Sequence, residues 1–182
     1  SDKTLSGEKI YANSSIIEQI IKKATENSLY AYNNQLKQGF ITAKGGVRIG
    51  VAGESVVSDT FLPTTIKNIN SINIRIPHEV IVCSKIAFKF IYSKENGIKN
   101  TLIISPPGAG KTTFLRDVAR SLSLLEDRIY NALIVDERFE LASCVDGFPM
   151  LDVGCYSDVV SGASKLFGFI NGIRTLRPDV II

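Results

Sequence analysis

The chain has 182 residues, 45% hydrophobic and 21% charged, with a mean hydropathy of +0.14. This balance excludes disorder, collagen and low-complexity repeats, and the length supports one full domain or two small ones with a sizeable core. Net charge is +3, split as +4 over residues 1–92 (11 basic, 7 acidic) and −1 over residues 93–182 (10 basic, 11 acidic). So mild a bias fits a solvated surface better than the clustered Lys and Arg of a nucleic-acid module.

No apolar run approaches the roughly 18–20 residues needed to span a bilayer. Ser1-Asp2-Lys3-Thr4 lacks the charged-then-apolar layout of a signal peptide, so an intracellular protein is expected. Cys83, Cys144 and Cys155 are odd in number and form no close pair, and His78 is the only histidine. That pattern points to reduced, mostly buried thiols rather than a zinc site.

In chain order, Ser15-Ile16-Ile17-Glu18 has capping-box spacing, and Ile16, Ile17, Ile20, Ile21 and Ala24 recur at helical intervals, which predicts a helix over 15–25. A second helix is expected over 28–38, with Leu29, Tyr32 and Leu36 on one face and Gly39 ending it. Residues 40–44 and 47–53 around Gly45-Gly46 predict a β-hairpin. After a loop containing Pro63, the alternation of Ile72, Ile74 and Ile76 predicts a half-buried strand. Residues 79–92 are apolar nearly all round and predict a mostly buried helix, with His78 after Pro77 at its start.

The polar run 93–100 contains Gly97 and is taken as a domain boundary, giving a small α+β domain over 1–92 and an α/β domain over 93–182. In the second, Thr101–Ile104 reads as a strand, 111–125 as a helix, Ala132–Val135 as a strand, 159–176 as a helix and 180–182 as a strand. Alternation of this kind implies a parallel sheet. The last residues, Pro178 to Ile182, form a rising apolar run and are expected to belong to a strand cut part-way.

The chemistry concentrates at Ser105-Pro106-Pro107-Gly108-Ala109-Gly110-Lys111-Thr112-Thr113, between a predicted strand and a predicted helix. Such a loop turns backbone N–H groups toward a phosphate, and the helix N-terminus adds its positive dipole end. Lys111 would neutralise β and γ oxygens, and the Thr112 hydroxyl would ligate Mg²⁺. The usual pattern begins with Gly, where this chain has Ser105. Asp136-Glu137, after Ala132–Val135, reads either as a Mg²⁺-holding acid plus a general base, or as an acidic pair that caps a loop or pairs with Arg138. Arg116 and Asp117 are expected to fix helix packing, and Tyr30, Tyr32, Phe88 and Phe90 to make core or interdomain contacts.

The run from Thr101 to Ser121 resembles the stage III sporulation protein AA family of endospore-forming bacteria. So do Ile134-Val135-Asp136-Glu137-Arg138, Asp152-Val153-Gly154, Ile173-Arg174 and Pro178-Asp179-Val180-Ile181. In the first domain the similarity continues in 38–42, 45–50 and 71–76, so that it covers residues 28–182. That family is itself similar to the secretion and pilus-motor ATPases, hexameric rings with an N-terminal domain hinged to a RecA-like domain.

The resemblance implies a P-loop RecA-like ATPase domain incomplete at its Walker B strand, which Asp179 introduces. It implies that Asp136 and Glu137 lie near the γ-phosphate and attacking water, and that Arg48 and Arg75 reach nucleotide, although solvated strand arginines remain the alternative. Arg138, Arg174 and Arg177 are further candidates to sense phosphate or a neighbouring subunit. The implied activity is that of a Mg²⁺-ATP-driven motor in the mother-cell cytoplasm, peripheral to the membrane and acting on a secretion-like channel to the forespore. An ATP-gated assembly scaffold and a DNA-acting RecA-like ATPase stand as alternatives.

Overall fold

A computed structural model of the chain describes residues 12–57 and 63–182. It is a mixed α/β structure that divides into two units, one of residues 1–43 with 48–75 and the other of residues 44–47 with 76–182. The division falls after Arg75 rather than at Ser93. The polar run placed at the boundary is instead the turn of a small hairpin, β4 (Tyr92–Ser93) with β5 (Gly97–Ile98), in which Tyr92 pairs with Ile98. A polar, glycine-containing run suits a tight turn as well as a linker, and here buried Tyr92 pulls it into the fold. Its ring lies 5.9 Å from Phe88 and 6.0 Å from Tyr130, and its hydroxyl donates to Asp127. That bond to a carboxylate pushes the Tyr92 phenol up to about 12.

In the N-terminal unit, helix α1 spans Ser14–Ala24 and is capped by Asn13, whose side chain accepts from the Ile16 amide at 3.0 Å, so the helix starts ahead of the expected Ser15 box. Ile17 and Ile21 are its buried face, and Lys22 and Lys23 complement the C-terminal dipole. The second expected helix breaks into a 3₁₀ turn, Leu29–Tyr32, and a single α turn, α2 (Asn33–Leu36). Asn33 and Asn34 are weak helix formers, and Tyr30, expected to pack, is 88% exposed, so little packing holds a longer helix together.

β1 (Phe40–Ala43), β2 (Val47–Val57) and β3 (Pro63–Arg75) form a sheet in that order, with a 3₁₀ turn at Lys44–Gly46 where the hairpin loop was expected. β2 and β3 are antiparallel, and their register sets Arg48 opposite Arg75 and Val51 opposite Ile72. The ladder slips between Ala52 and Glu54, where Asn68 adopts a φ of 47° and its amide donates to Glu54 at 2.7 Å. Residues 58–62, part of the loop expected around Pro63, lie outside the described residues, and Pro63 itself opens β3. Ile74 and Ile76 are exposed, so the expected half-buried face is reduced to Ile72.

In the second unit the buried helix expected over 79–92 is only α3, Lys85–Ile91, with Ile91 its one buried residue. Val80, Ile81, Val82, Ile86 and Phe90 are exposed, and His78 lies in extended chain well ahead of the helix. Two causes oppose helix at 80–84. β-Branched residues run consecutively, and the amides of Val82 and Ser84 bond to the carboxylate of Asp117 instead of to helix carbonyls.

α4 (Lys111–Leu122) follows the glycine loop. Strand β6 (Ala132–Asp136) is buried at all five positions and lies between β7 (Ser157–Ser161) and β8 (Val180–Ile181), parallel to both. The expected parallel arrangement is therefore present in this part of the chain. Residues 159–161, where a helix was expected to begin, are strand because Val159 and Val160 bond along β6. The helix proper, α5 (Lys165–Leu176), starts at Ser164, whose hydroxyl accepts from the Phe167 amide. Gly168 and Gly172 seat α5 on β6 so closely that a Cβ on them would come within 2.4 Å of Val135 and 2.2 Å of Leu133. The core packs Ala119 of α4 against Ile134, Ala142, Cys144 and Val153, and Val118 and Leu122 against Ile91. Cys144 is buried, whereas Cys83 and Cys155 are exposed, contrary to the expectation of mostly buried thiols. Among the described residues no helix is long and apolar enough to cross a membrane.

Candidate functional site

Thr101–Ile104 carries the glycine loop but is not a strand. It has no ladder partner among the described residues, and Leu102 and Ile104 are 82% and 84% exposed. Apolar sequence makes a strand only where another strand receives its main-chain bonds, and no neighbour lies alongside this one.

The loop itself is closed and ordered by its own chain. Gly108 and Gly110 adopt φ of 76° and 86°, left-handed values that a side chain would resist, and Gly110 is the N-cap of α4. No side chain caps α4, so the amides of its first turn are left without helical acceptors at the loop. Lys111 folds back across the loop. Its ammonium donates to the Ser105 carbonyl at 2.8 Å, the Pro106 carbonyl at 2.9 Å and the Ser105 hydroxyl at 3.4 Å. Ser105, where the usual pattern has Gly, thus supplies an extra acceptor to the lysine.

Pro106 to Gly110 are exposed, and Thr112 and Thr113 are half-buried in the first helical turn. An ammonium, turned glycine amides and an uncapped helix N-terminus converge on one place, an arrangement complementary to a polyanion. A hollow of about 410 Å³ lies beside it, walled by Ala87, Phe90, Ile91, Phe114, residues 101–105 and Ala109–Lys111. Phe90, expected in the core, is mostly exposed along this hollow. A larger hollow, about 820 Å³, lies in the N-terminal unit between α1, the 29–33 turn and β3. It contains none of the loop's groups.

The second turn of α4 is bonded in two directions. Arg116 donates to the carbonyls of Leu141 (2.6 Å) and Glu140 (2.8 Å). Burial lowers its guanidinium from the ordinary value, against the carboxylates of Glu79 and Asp136. Asp117 accepts from the Val82 amide (2.9 Å), the Ser84 amide and hydroxyl (both 2.7 Å), and Arg120 (2.8 and 3.0 Å). Burial by itself would raise this carboxyl, but the Ser84, Arg120 and Val82 donors outweigh it and hold it at about 2. The expectation that Arg116 and Asp117 fix packing agrees with these bonds.

Asp136 is also fully engaged. Its buried carboxylate accepts from the amides of Glu140 (2.8 Å), Leu141 (3.0 Å) and Ala142 (2.9 Å), which fastens the 137–142 turn to the end of β6. The geometry is that of the loop-capping alternative, and it leaves Asp136 poorly placed for the expected hold on Mg²⁺. Glu137 is half-buried and Arg138 exposed on the same braced turn. Arg48 and Arg75, far apart in sequence, are cross-strand neighbours in the N-terminal unit, and the Arg48 guanidinium lies 3.8 Å over the Phe40 ring. Arg174 lies in the last turn of α5, and Arg177 caps that helix with a φ of 47°.

The family model for sporulation stage III, protein AA, matches residues 4–182. The chain belongs to that family. The chain is similar to Stage III sporulation protein AA of Bacillus subtilis (strain 168), 36% identical over 165 residues, covering 90% of this chain and 53% of the relative. The chain thus spans about half the length of that family member. No solved structure matches the chain. Membership in the sporulation stage III protein AA family is consistent with a role in sporulation, and the glycine loop, the braced acidic turn and the Arg48–Arg75 pair all lie inside the region matched.

Proposed function

We propose that this member of the sporulation stage III protein AA family binds Mg²⁺-ATP at Ser105–Thr113 and, in its full-length protein, hydrolyses it as a RecA-like P-loop motor similar to the secretion ATPases. The observation that carries the reading is the closed loop. Lys111 already spans from α4 to Ser105 and Pro106, and the uncapped α4 N-terminus faces the same place. A triphosphate would take over the ammonium's bonds to the two carbonyls and receive the first-turn amides.

For the metal, the donor set fits in part. Thr112 presents a hydroxyl on the first turn, whereas the Asp136 carboxylate already accepts three amide bonds that fasten the 137–142 turn. Thr112 is therefore the residue assigned to hold Mg²⁺, together with phosphate oxygens and water. Bound there, the ion would neutralise charge on the β- and γ-phosphates. Lys111 supplies positive charge to the same oxygens, and Glu137 orients the attacking water from a turn that Asp136 and Arg116 keep rigid.

In this reading the active form is a ring of copies, a hexamer in analogy with the secretion motors. It works in the mother-cell cytoplasm, peripheral to the membrane, with channel proteins of the sporulation apparatus as partners. The engagement of Asp136 favours one competing reading, a nucleotide-gated assembly scaffold with little turnover. Lys111→Ala in the full-length protein tests the site. Loss of a charged hydrogen-bonding group costs about 1.5–3 kcal/mol, so Mg²⁺-ATP affinity should fall about 10- to 100-fold. Unchanged affinity would refute the nucleotide assignment, and sustained turnover by the intact protein would refute the scaffold reading.

A further inference from the structure

Residues 82–84 lie along one line of α4. The Cys83 thiol is 3.8 Å from the Thr113 carbonyl, Val82 and Ser84 are bonded to Asp117, and the Ser84 hydroxyl is 3.2 Å from that of Ser121. Thr113, Asp117 and Ser121 are four residues apart and so occupy one face of the helix that the phosphate loop opens. The segment grips that helix from its first turn to its third.

The grip holds a conformation the sequence disfavours. Val82 has a φ of 65°, in the left-handed region where a β-branched side chain clashes with its own backbone. Its side chain is 51% exposed, so packing does not account for this geometry. The amide does, because it is turned toward Asp117 and followed by fully buried Ser84 on the second carboxylate oxygen. The chain reaches Val82 six residues after entering the second unit at Ile76. Release of that carboxylate would let Val82 relax to extended backbone.

We infer that the Val82–Ser84 segment and Asp117 form a conformational latch whose state responds to an anion in the glycine loop, with Asp117 as its positioning residue. This rests on the nucleotide reading of Ser105–Thr113. A triphosphate that draws the first turn of α4 toward itself moves Thr113 and Asp117 as one rigid piece, which changes bonds of 2.7 to 2.9 Å that pin a residue already inclined to leave.

The test is amide hydrogen exchange at Val82 and Ser84 in the full-length protein, with and without saturating Mg²⁺-ATP, in the wild type, Val82→Gly and Lys111→Ala. Glycine accepts the positive φ without strain and keeps the amide, so Val82→Gly should fold and stay gripped. The expected result is a change of at least tenfold in exchange at both amides on nucleotide addition to the wild type. That response should be absent in Lys111→Ala and reduced at least threefold in Val82→Gly. Lys111-dependent binding with unchanged exchange at 82–84, or an undiminished response in Val82→Gly, overturns the latch and leaves the nucleotide reading intact. No binding of Mg²⁺-ATP by the wild type overturns both.

Discussion

The first and second turns of α4 are one residue apart in places and opposite in character. In the first, Lys111 bonds only to its own loop, no side chain caps the helix, and the glycines before it are exposed. In the second, Arg116 and Asp117 are buried, and their charged groups bond to the 140–141 carbonyls, to residues 82–84 and to Arg120. A helix whose second turn is bonded to the surrounding chain and whose first turn is left to a glycine loop is engaged at one place and available at the other. The difference separates residues that hold the fold from residues free to hold a ligand.

Substitutions can break that contrast, and the largest effect should come from Asp117→Ala. It strands the Val82 and Ser84 amides and leaves Arg120 without its carboxylate, so a loss of about 3–5 kcal/mol in unfolding free energy is expected by denaturant titration. Arg116→Met should cost less, about 1.5–3 kcal/mol, because it keeps most of the apolar stem and removes donors to two carbonyls. The acid limb of stability sharpens the assignment of Asp117. Its carboxyl is held at about 2 when folded, against an unfolded value of about 3.9, so its contribution is complete above pH ~4 and disappears as pH falls toward 2. That contribution is about 2 kcal/mol, and the melting temperature of Asp117→Asn should show a correspondingly shallower decline over that window. Lys111→Ala should move stability least, by about 0.5 kcal/mol or less, since its bonds run only to its own half-buried or exposed loop.

How far the sequence revealed these parts depended on whether a signal was local. The glycine loop and the start of α4 were legible because glycine, lysine and spacing are themselves the requirement. β6 was legible because five consecutive apolar or strand-end residues are buried from both sides. Thr101–Ile104 is just as apolar, yet strand formation depends on a neighbour, and hydrophobicity cannot report one. The same holds for residues 159–161, where pairing with β6 makes strand of what the sequence suggests as helix. Residues 80–84 misled for another reason: a carboxylate 33 to 35 positions away in sequence captured their amides. Asp136 was identified as important from its place after a buried strand, but only the three amides around it show that the carboxylate fastens a turn. The Arg48–Arg75 adjacency was likewise invisible until register brought two distant strands together.

The central claim is that the open first turn of α4 is a nucleotide site. Calorimetric titration of Mg²⁺-ATP into the full-length wild type and Lys111→Ala, both shown to be folded by thermal melting, tests it most directly. The account predicts saturable binding to the wild type and a loss of about 10- to 100-fold in the variant, with nearly equal melting temperatures. Equal affinity in the two folded proteins, or no binding to the wild type, would contradict it.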